Sequence, residues 1–268
     1  MYRRVCAVLG DPVEHTLSPA LHNAGYAALG LPFTYVALRV RKGGGARAVD
    51  AIRTLHLAGA SVTMPLKAEV AAAADRRTPD VARLGVANTL VVDEDGTVTA
   101  HNTDVHGIRE ATREAGLAPR AVLLLGGGGA AHAAAAAFAG CELYVATREG
   151  GRRLDAPAHE LAWGEPPPVP VDLLVNATPL GMDAKTCAAS AAQLASAAAV
   201  FDMVYAPAVT PLLAAARAAG KTAVGGLPML LHQAGAQFEL FTGVPAPLEA
   251  MRAAVPHDTS GGVQETRR

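Results

Sequence analysis

At 268 residues, with 51% hydrophobic and 18% charged side chains, the chain can bury one large or two modest cores and is not composed like a disordered polymer. A formal net charge of −1 argues against a nucleic-acid surface or a polybasic membrane patch. Three widely spaced cysteines, Cys6, Cys141 and Cys187, form neither a disulfide framework nor a metal-type pattern and suit a reduced, cytoplasmic protein.

Val5 to Leu9 predicts a first strand, too short in its apolar part for a signal peptide, and no apolar run is long enough to cross a membrane. Gly10-Asp11-Pro12 ends that strand. Ser18 and Pro19 read as N-cap and first residue of a helix running to about Leu29. Thr16 sits two residues earlier, in the strand-to-helix loop, with a hydroxyl free to meet a ligand. A strand over Thr34 to Val40, a glycine turn at 43–45 and a helix over Ala46 to Leu57 follow. Gly59 to Met64 is a short strand meeting a helix at Pro65, which puts Lys67 in that helix's first turn. The helix dipole disfavours a cation there, so the lysine lacks a stability reason for its position. Gly85 to Val92 predicts a strand carrying Asn88 and Thr89 near its start, and Asp93 to Gly96 a hairpin turn without the remaining ligands of a calcium loop. Asp104 precedes a helix to Ala115 and reads as its N-cap. His101, His106 and Asp104 match no standard metal spacing, so no metal is expected.

Ala121 to Leu125 runs straight into Gly126-Gly127-Gly128-Gly129, and an alanine-rich helix follows to about Phe138. Gly126-x-Gly128-x-x-Ala131 fits the dinucleotide fingerprint: a sharp turn, close backbone approach to a pyrophosphate, and tight packing of helix on strand. The next strand, Glu142 to Thr147, ends where a carboxylate would grip a ribose 2′-hydroxyl. Thr147 and Arg148 stand there instead, with Arg152 and Arg153 close by, and guanidinium groups suit a 2′-phosphate. NADP is therefore expected, with Glu149 keeping NAD as the alternative. Val171 to Val175 and Ala198 to Met203 predict two more strands, ending at Asn176 and before Tyr205. Thr210 caps a helix to about Ala219, Thr222 to Val224 is a last strand, and Gly225-Gly226-Leu227-Pro228 opens a helix from Met229 to about Phe241. Gln233 within it reads as an exposed position, and the tail from Pro256 as loose polar chain. Alternating strands and helices on both sides of Gly126 indicate two open α/β domains with a cleft between them. Thr16, Thr63, Lys67, Asn88, Asp104, Asn176 and Tyr205 fall mostly at strand ends or adjoining turns, where such sheets bind ligands.

These motifs, in this order, resemble the shikimate dehydrogenase family over nearly the whole chain. The likeness lies in Glu14-His-Thr-Leu-Ser-Pro19, Ser61-Val-Thr-Met-Pro-Leu-Lys67, Ala87-Asn-Thr89, Asn102-Thr-Asp104, Gly126 to Ala130, Val175-Asn-Ala-Thr178, Asp202-Met-Val-Tyr205 and Gly226 to Gln233. The resemblance implies NADPH-dependent reduction of 3-dehydroshikimate to shikimate, in aromatic amino-acid biosynthesis. It implies a substrate domain over 1–104, completed by 235–268, and a Rossmann-type NADP domain over 105–234. It implies Lys67 as acid/base with Asp104 as its partner, and Thr16, Ser18, Thr63, Asn88, Tyr205 and Gln233 on substrate. Gly126 to Ala130, Thr147, Arg148, Arg152, Asn176, Thr178, Met203 and Gly226 would serve the cofactor, in a monomer or homodimer. Thr16 stands where the family usually has serine, Ser61 where it has asparagine, and Thr147 and Glu149 depart from its usual Asn-Arg-Thr. Those departures leave a quinate or aminoshikimate paralogue as the alternative. A non-catalytic dinucleotide-binding regulator is a more distant one, set against the retention of Lys67 and Asp104.

Overall fold

The computed structural model describes residues 3–148, 154 and 156–255. The first half of the chain builds one six-stranded sheet from β1 (Arg4–Gly10), α1 (Ser18–Ala28), β2 (Phe33–Arg39), α2 (Gly45–Thr54), β3 (Gly59–Val62), α3 (Lys67–Ala73), β4 (Arg76–Arg77), α4 (Pro79–Leu84), β5 (Thr89–Val92) and β6 (Val98–His101). Helix α5 (Asp104–Glu114) leads into a second six-stranded sheet: β7 (Ala121–Leu125), α6 (Gly129–Ala137), β8 (Glu142–Ala146), β9 (His159–Leu161), β10 (Val171–Asn176), α7 (Ala191–Ser196), β11 (Ala197–Asp202), α8 (Pro211–Ala218) and β12 (Thr222–Val224). Helices α9 (Leu227–Thr242) and α10 (Leu248–Ala253) close the described chain.

The first sheet has the order β2-β1-β3-β5-β6-β4 and is mixed, β5 running antiparallel to both β3 and β6. The second has the order β12-β11-β10-β7-β8-β9 and is parallel throughout. Its order reverses between β10 and β7, and the glycine loop leaves β7 at that switch point, where open α/β sheets leave a ligand crevice.

Strand β7 shows why its sequence is apolar without alternation. Val122 and Leu124 enter one core with α5 and α6, while Leu123 and Leu125 enter another on the opposite face. Strand β1 divides likewise: Ala7 and Leu9 face one core, Cys6 and Val8 the other. That other core also holds Leu231, Ala234, Phe238 and Phe241 of α9 and Met251 of α10. The last helices therefore return to cover the first sheet, each fully buried leucine or phenylalanine contributing about 1.5–3 kcal/mol.

Helix α9 also reaches the second sheet. A Cβ on Gly226, just before its first turn, would lie 2.3 Å from the Met203 carbonyl oxygen, so only glycine lets the helix start this close to the end of β11. The elements that sequence reasoning omitted are the short ones, β4, α4, β9, α7 and α10, each of six residues or fewer.

Candidate active site

Lys67 is the first residue of α3 and Asp104 the first residue of α5, and the two side chains form an ion pair with 16% and 7% exposure. Asp104 was expected to cap α5, but Thr103 occupies the cap position and makes no side-chain cap bond. The Asp104 carboxylate is committed elsewhere: Oδ2 faces the Lys67 ammonium and Oδ1 accepts from Asn88 Nδ2 at 2.8 Å. Asn102 Oδ1 accepts from the Asp104 amide at 3.1 Å and fixes the turn that presents it. Lys67 thus sits against the unfavourable end of its own helix dipole because a carboxylate from another helix neutralises it there.

Asn88 is the hub of this cluster. It lies just before β5, 2% exposed, and its Nδ2 also donates to Thr103 Oγ1 at 2.9 Å and Gln233 Oε1 at 3.3 Å. Gln233 is buried at 8% exposure, against the expectation of an exposed helical glutamine, because α9 turns this face onto β5 and α5.

A second group lies at the start of α1. Ser18 is the first helical residue rather than the cap, and Leu17 takes the cap position. The Ser18 hydroxyl instead accepts from Thr16 Oγ1 at 3.2 Å, pairing the two hydroxyls. Tyr205, in the loop after β11, brings its hydroxyl against Thr16 from the other sheet; burial pushes this phenol above its ordinary value and the Thr16 hydroxyl opposes that. Thr63, just past β3, is half-buried, and its amide donates to the Leu9 carbonyl at 2.9 Å.

On the other wall a cavity of about 430 Å³ runs along the glycine loop. Gly126 to Ala130, Thr147, Arg148, Ala177, Thr178 and Pro179 line one side, and Met64, Pro65, Lys67, Ala68 and Val86 of the first half line the other. Gly126 has φ of +120°, a conformation side chains rarely adopt, and a Cβ there would lie 3.1 Å from the Ala177 carbonyl. No side chain caps α6, so its first-turn amides are free to meet an anion across the bare loop. These residues fit a dinucleotide: amides for its pyrophosphate, and Arg148 at the end of β8 for a 2′-phosphate. Arg152, and Glu149 with it, lie outside the described residues.

Asn176, Met203 and Gly226 do not line the cavity. Asn176 is fully enclosed; its Oδ1 accepts from the Thr178 amide and hydroxyl at 3.0 and 2.7 Å, and its Nδ2 donates to Leu180 O and Asp202 Oδ1. It shapes the loop that presents Thr178. Met203 and Gly226 pack on one another instead, joining β11 to α9. Asp202 is buried among Asn176, Thr210 and the Val204 amide, and burial pushes its carboxyl above the usual carboxylate range. Sequence reasoning passed over Trp163, the chain's single tryptophan, which lines the cavity beside Thr147 and Arg148. An indole two residues past a three-residue edge strand carried no periodic signal. Among the described residues no cluster of histidine, cysteine and carboxylate side chains could hold a metal ion, and no helix is long and apolar enough to cross a membrane.

Comparison with known proteins identifies relatives of the whole chain. Residues 8–90 match the shikimate dehydrogenase substrate binding domain, and residues 226–255 the shikimate 5′-dehydrogenase C-terminal domain. The NADP⁺ shikimate dehydrogenase of Methanosarcina acetivorans is 38% identical over 94% of this chain and 98% of its own length. That of Rhodospirillum rubrum is 40% identical over 94% and 96%. Among solved structures, a shikimate dehydrogenase from Peptoclostridium difficile superposes with a TM-score of 0.85 at 26% identity, covering 94% of this chain and 96% of that one. The Thermus thermophilus enzyme in complex with NADP(H) and shikimate gives 0.81 at 31%, covering 94% and 98%.

Proposed function

The chain belongs to the shikimate dehydrogenase family, and from that premise we propose that it catalyses the reversible NADPH-dependent reduction of 3-dehydroshikimate to shikimate, a step towards the aromatic amino acids. The observation that carries this reading is the meeting of the acid/base pair with the glycine loop. A Cβ built on Gly129 would stand 3.3 Å from Lys67 Cδ, so the lysine stem lies against the start of α6.

NADPH, when bound, supplies the hydride that the ketone carbon receives. The Lys67 ammonium donates a proton to the carbonyl oxygen as negative charge builds there. Asp104 orients that ammonium and accepts from the hydroxyl that forms, while Asn88 holds the other carboxylate oxygen. We assign Thr16, Ser18, Thr63, Asn88, Tyr205 and Gln233 to the hydroxyls and carboxylate of the substrate. A site built on so many hydrogen bonds rejects analogues that lack a hydroxyl. The cofactor falls to Gly126 through Ala130, Thr147, Arg148 and Thr178. Asn176, Met203 and Gly226 support that wall through the contacts described, and Arg152 completes the assignment from the sequence alone. We assign residues 1–104 with 235–268 to the substrate domain and 105–234 to the NADP domain, a division that passes through the middle of α9 and leaves Tyr205 and Gln233 to reach substrate from the latter. Both walls come from one chain, so a monomer suffices and a homodimer is compatible. Three unpaired cysteines suit the cytoplasm.

Steady-state oxidation of shikimate, followed as reduced-cofactor absorbance, tests this with NADP⁺ and NAD⁺ in parallel and quinate as the comparison substrate. Shikimate with NADP⁺ is expected to turn over fastest. Faster turnover of quinate, or preference for NAD⁺, assigns a sister activity. No turnover with any pair, despite NADPH binding, contradicts the proposal.

A further inference from the structure

We propose that Gln237, which is 1% exposed and lies one helical turn beyond Gln233 on α9, is a positioning residue that acts through Thr89 to reinforce the orientation the Thr103 amide gives the Asn88 side chain, and thereby holds Asp104 towards Lys67. The inference rests on the reaction assigned above and concerns a residue that touches neither Lys67 nor Asp104.

Each hydrogen bond in this buried cluster has one proton and one direction. The Tyr35 hydroxyl donates to Ser61 Oγ at 2.6 Å, and burial pushes this phenol well above its ordinary value, so it keeps its proton and remains a donor. Ser61 passes its own proton to Gln237 Oε1 at 2.7 Å. With that oxygen committed, Gln237 Nε2 points the other way, donating to the Asn88 carbonyl at 3.2 Å and to Thr89 Oγ1 at 3.0 Å. Thr89 has a single hydroxyl proton, and having accepted from Gln237 it gives that proton to Asn88 Oδ1 at 2.8 Å. Asn88 Oδ1 also accepts from the Thr103 amide at 2.7 Å. The amide oxygen is thus fixed by the Thr89 hydroxyl and by the amide and hydroxyl of Thr103, the last at 3.3 Å, and Nδ2 is left to face Asp104 Oδ1 at 2.8 Å. The chain runs one way, Tyr35 to Ser61 to Gln237 to Thr89 to Asn88 to Asp104. Its middle link comes from the far end of the sequence. In this buried setting a reversed or missing link leaves an unpaired polar group, so the direction is enforced.

Two substitutions separate positioning from packing. Gln237→Leu keeps the volume and removes all three of these bonds. Gln237→Glu, when ionised, only accepts, so it draws the Thr89 proton away from Asn88; when protonated, it again donates and accepts as the amide did. Burial raises such a carboxyl towards neutral pH. The titratable groups facing this position are His22 on α1 and Tyr35 on β2, and burial keeps both neutral. Each variant is expected to lower kcat for shikimate oxidation about 10- to 100-fold, the scale of a small misplacement near the chemistry, with the calorimetric NADPH dissociation constant unchanged. The Glu variant should then regain kcat relative to the Leu variant as pH is lowered from about 8 to about 6. Thr89→Val breaks the same link with less change in shape and should reproduce the loss of kcat even where Gln237→Leu folds poorly. If folded, NADPH-binding Gln237→Leu and Thr89→Val keep wild-type kcat, or if the Glu-to-Leu ratio is flat with pH, Gln237 is a packing residue and the proposal fails. A wild-type protein inactive on shikimate would instead defeat the assigned reaction.

Discussion

The two walls of the cleft are built from different groups. On the first-sheet wall the side chains make the contacts: Asn88 alone bonds to Thr89, Thr103, Asp104 and Gln233, and Thr16 pairs with Ser18. On the second-sheet wall the loop after β7 offers backbone, with four glycines and an uncapped helix start, and its polar side chains stand at the margins in Thr147, Arg148 and Thr178. A ring bearing several hydroxyls and a carboxylate needs many separately aimed partners. A pyrophosphate is a concentrated charge that amides and a helix dipole meet without side chains. The first wall is therefore sensitive to loss of a functional group, the second to gain of a Cβ.

That contrast breaks if substitutions on one wall act on the other's ligand. After loss of Lys67 itself, the largest effect is expected from Asp104→Asn, which keeps the shape and removes the charge facing Lys67. Its kcat should fall about 100-fold or more, while calorimetry gives an unchanged NADPH dissociation constant. Next comes Arg148→Ala, expected to raise the KM for NADP⁺ about 10-fold and leave that for NAD⁺ and for shikimate alone. Equal effects on the two cofactors would remove the guanidinium from the account.

Acid sharpens the contrast at the level of stability. His22, fully enclosed and stacked on Tyr35, is held by burial at a pKa of about 3 against an ordinary 6.5, although the Gln237 side chain opposes this. Between those values the unfolded chain binds a proton that the folded chain does not. Stability from this group is full above 6.5 and falls as pH drops towards 3, with a slope of about 1.4 kcal/mol per pH unit. Asp202 in the second half has the opposite sign: its folded carboxyl is raised, so it favours the folded state as pH falls into the carboxylate range. Urea unfolding should show wild type losing stability relative to His22→Leu as pH falls from 6.5 towards 3; a constant difference would contradict the burial of a neutral imidazole. The smallest expected effect is spectroscopic. NADPH should quench the emission of Trp163, the single tryptophan, and shikimate alone should leave it unchanged.

Much of this was legible in the sequence because ligand sites of open α/β sheets lie at strand ends, and strand ends are marked by breaks in apolar runs. The fingerprint after Leu125, Lys67 after its short strand and Asp104 before its helix were all found that way. The expected strands returned close to their expected spans, β7 at Ala121–Leu125 among them. What stayed hidden depends on partners distant in sequence. A glutamine on a helix looks the same whether it faces water or a buried asparagine, so its helical position alone reads Gln233 as exposed, only the family resemblance puts it on substrate, and neither singles out Gln237; the return of α9 across the first sheet buries both. Ser18 and Asp104 were read as caps because residue type fits either a cap or the first turn, and only backbone geometry separates the two.

Lys67 pairs with Asp104 of the first wall although its stem lies against the second. Measuring kcat for shikimate oxidation by Lys67→Ala, alongside its calorimetric NADPH dissociation constant, tests the acid/base role of Lys67 most directly. If Lys67 is the acid/base, kcat falls about 100-fold to 10,000-fold with cofactor affinity unchanged. Retained turnover, or a loss explained by weakened NADPH binding, would contradict it.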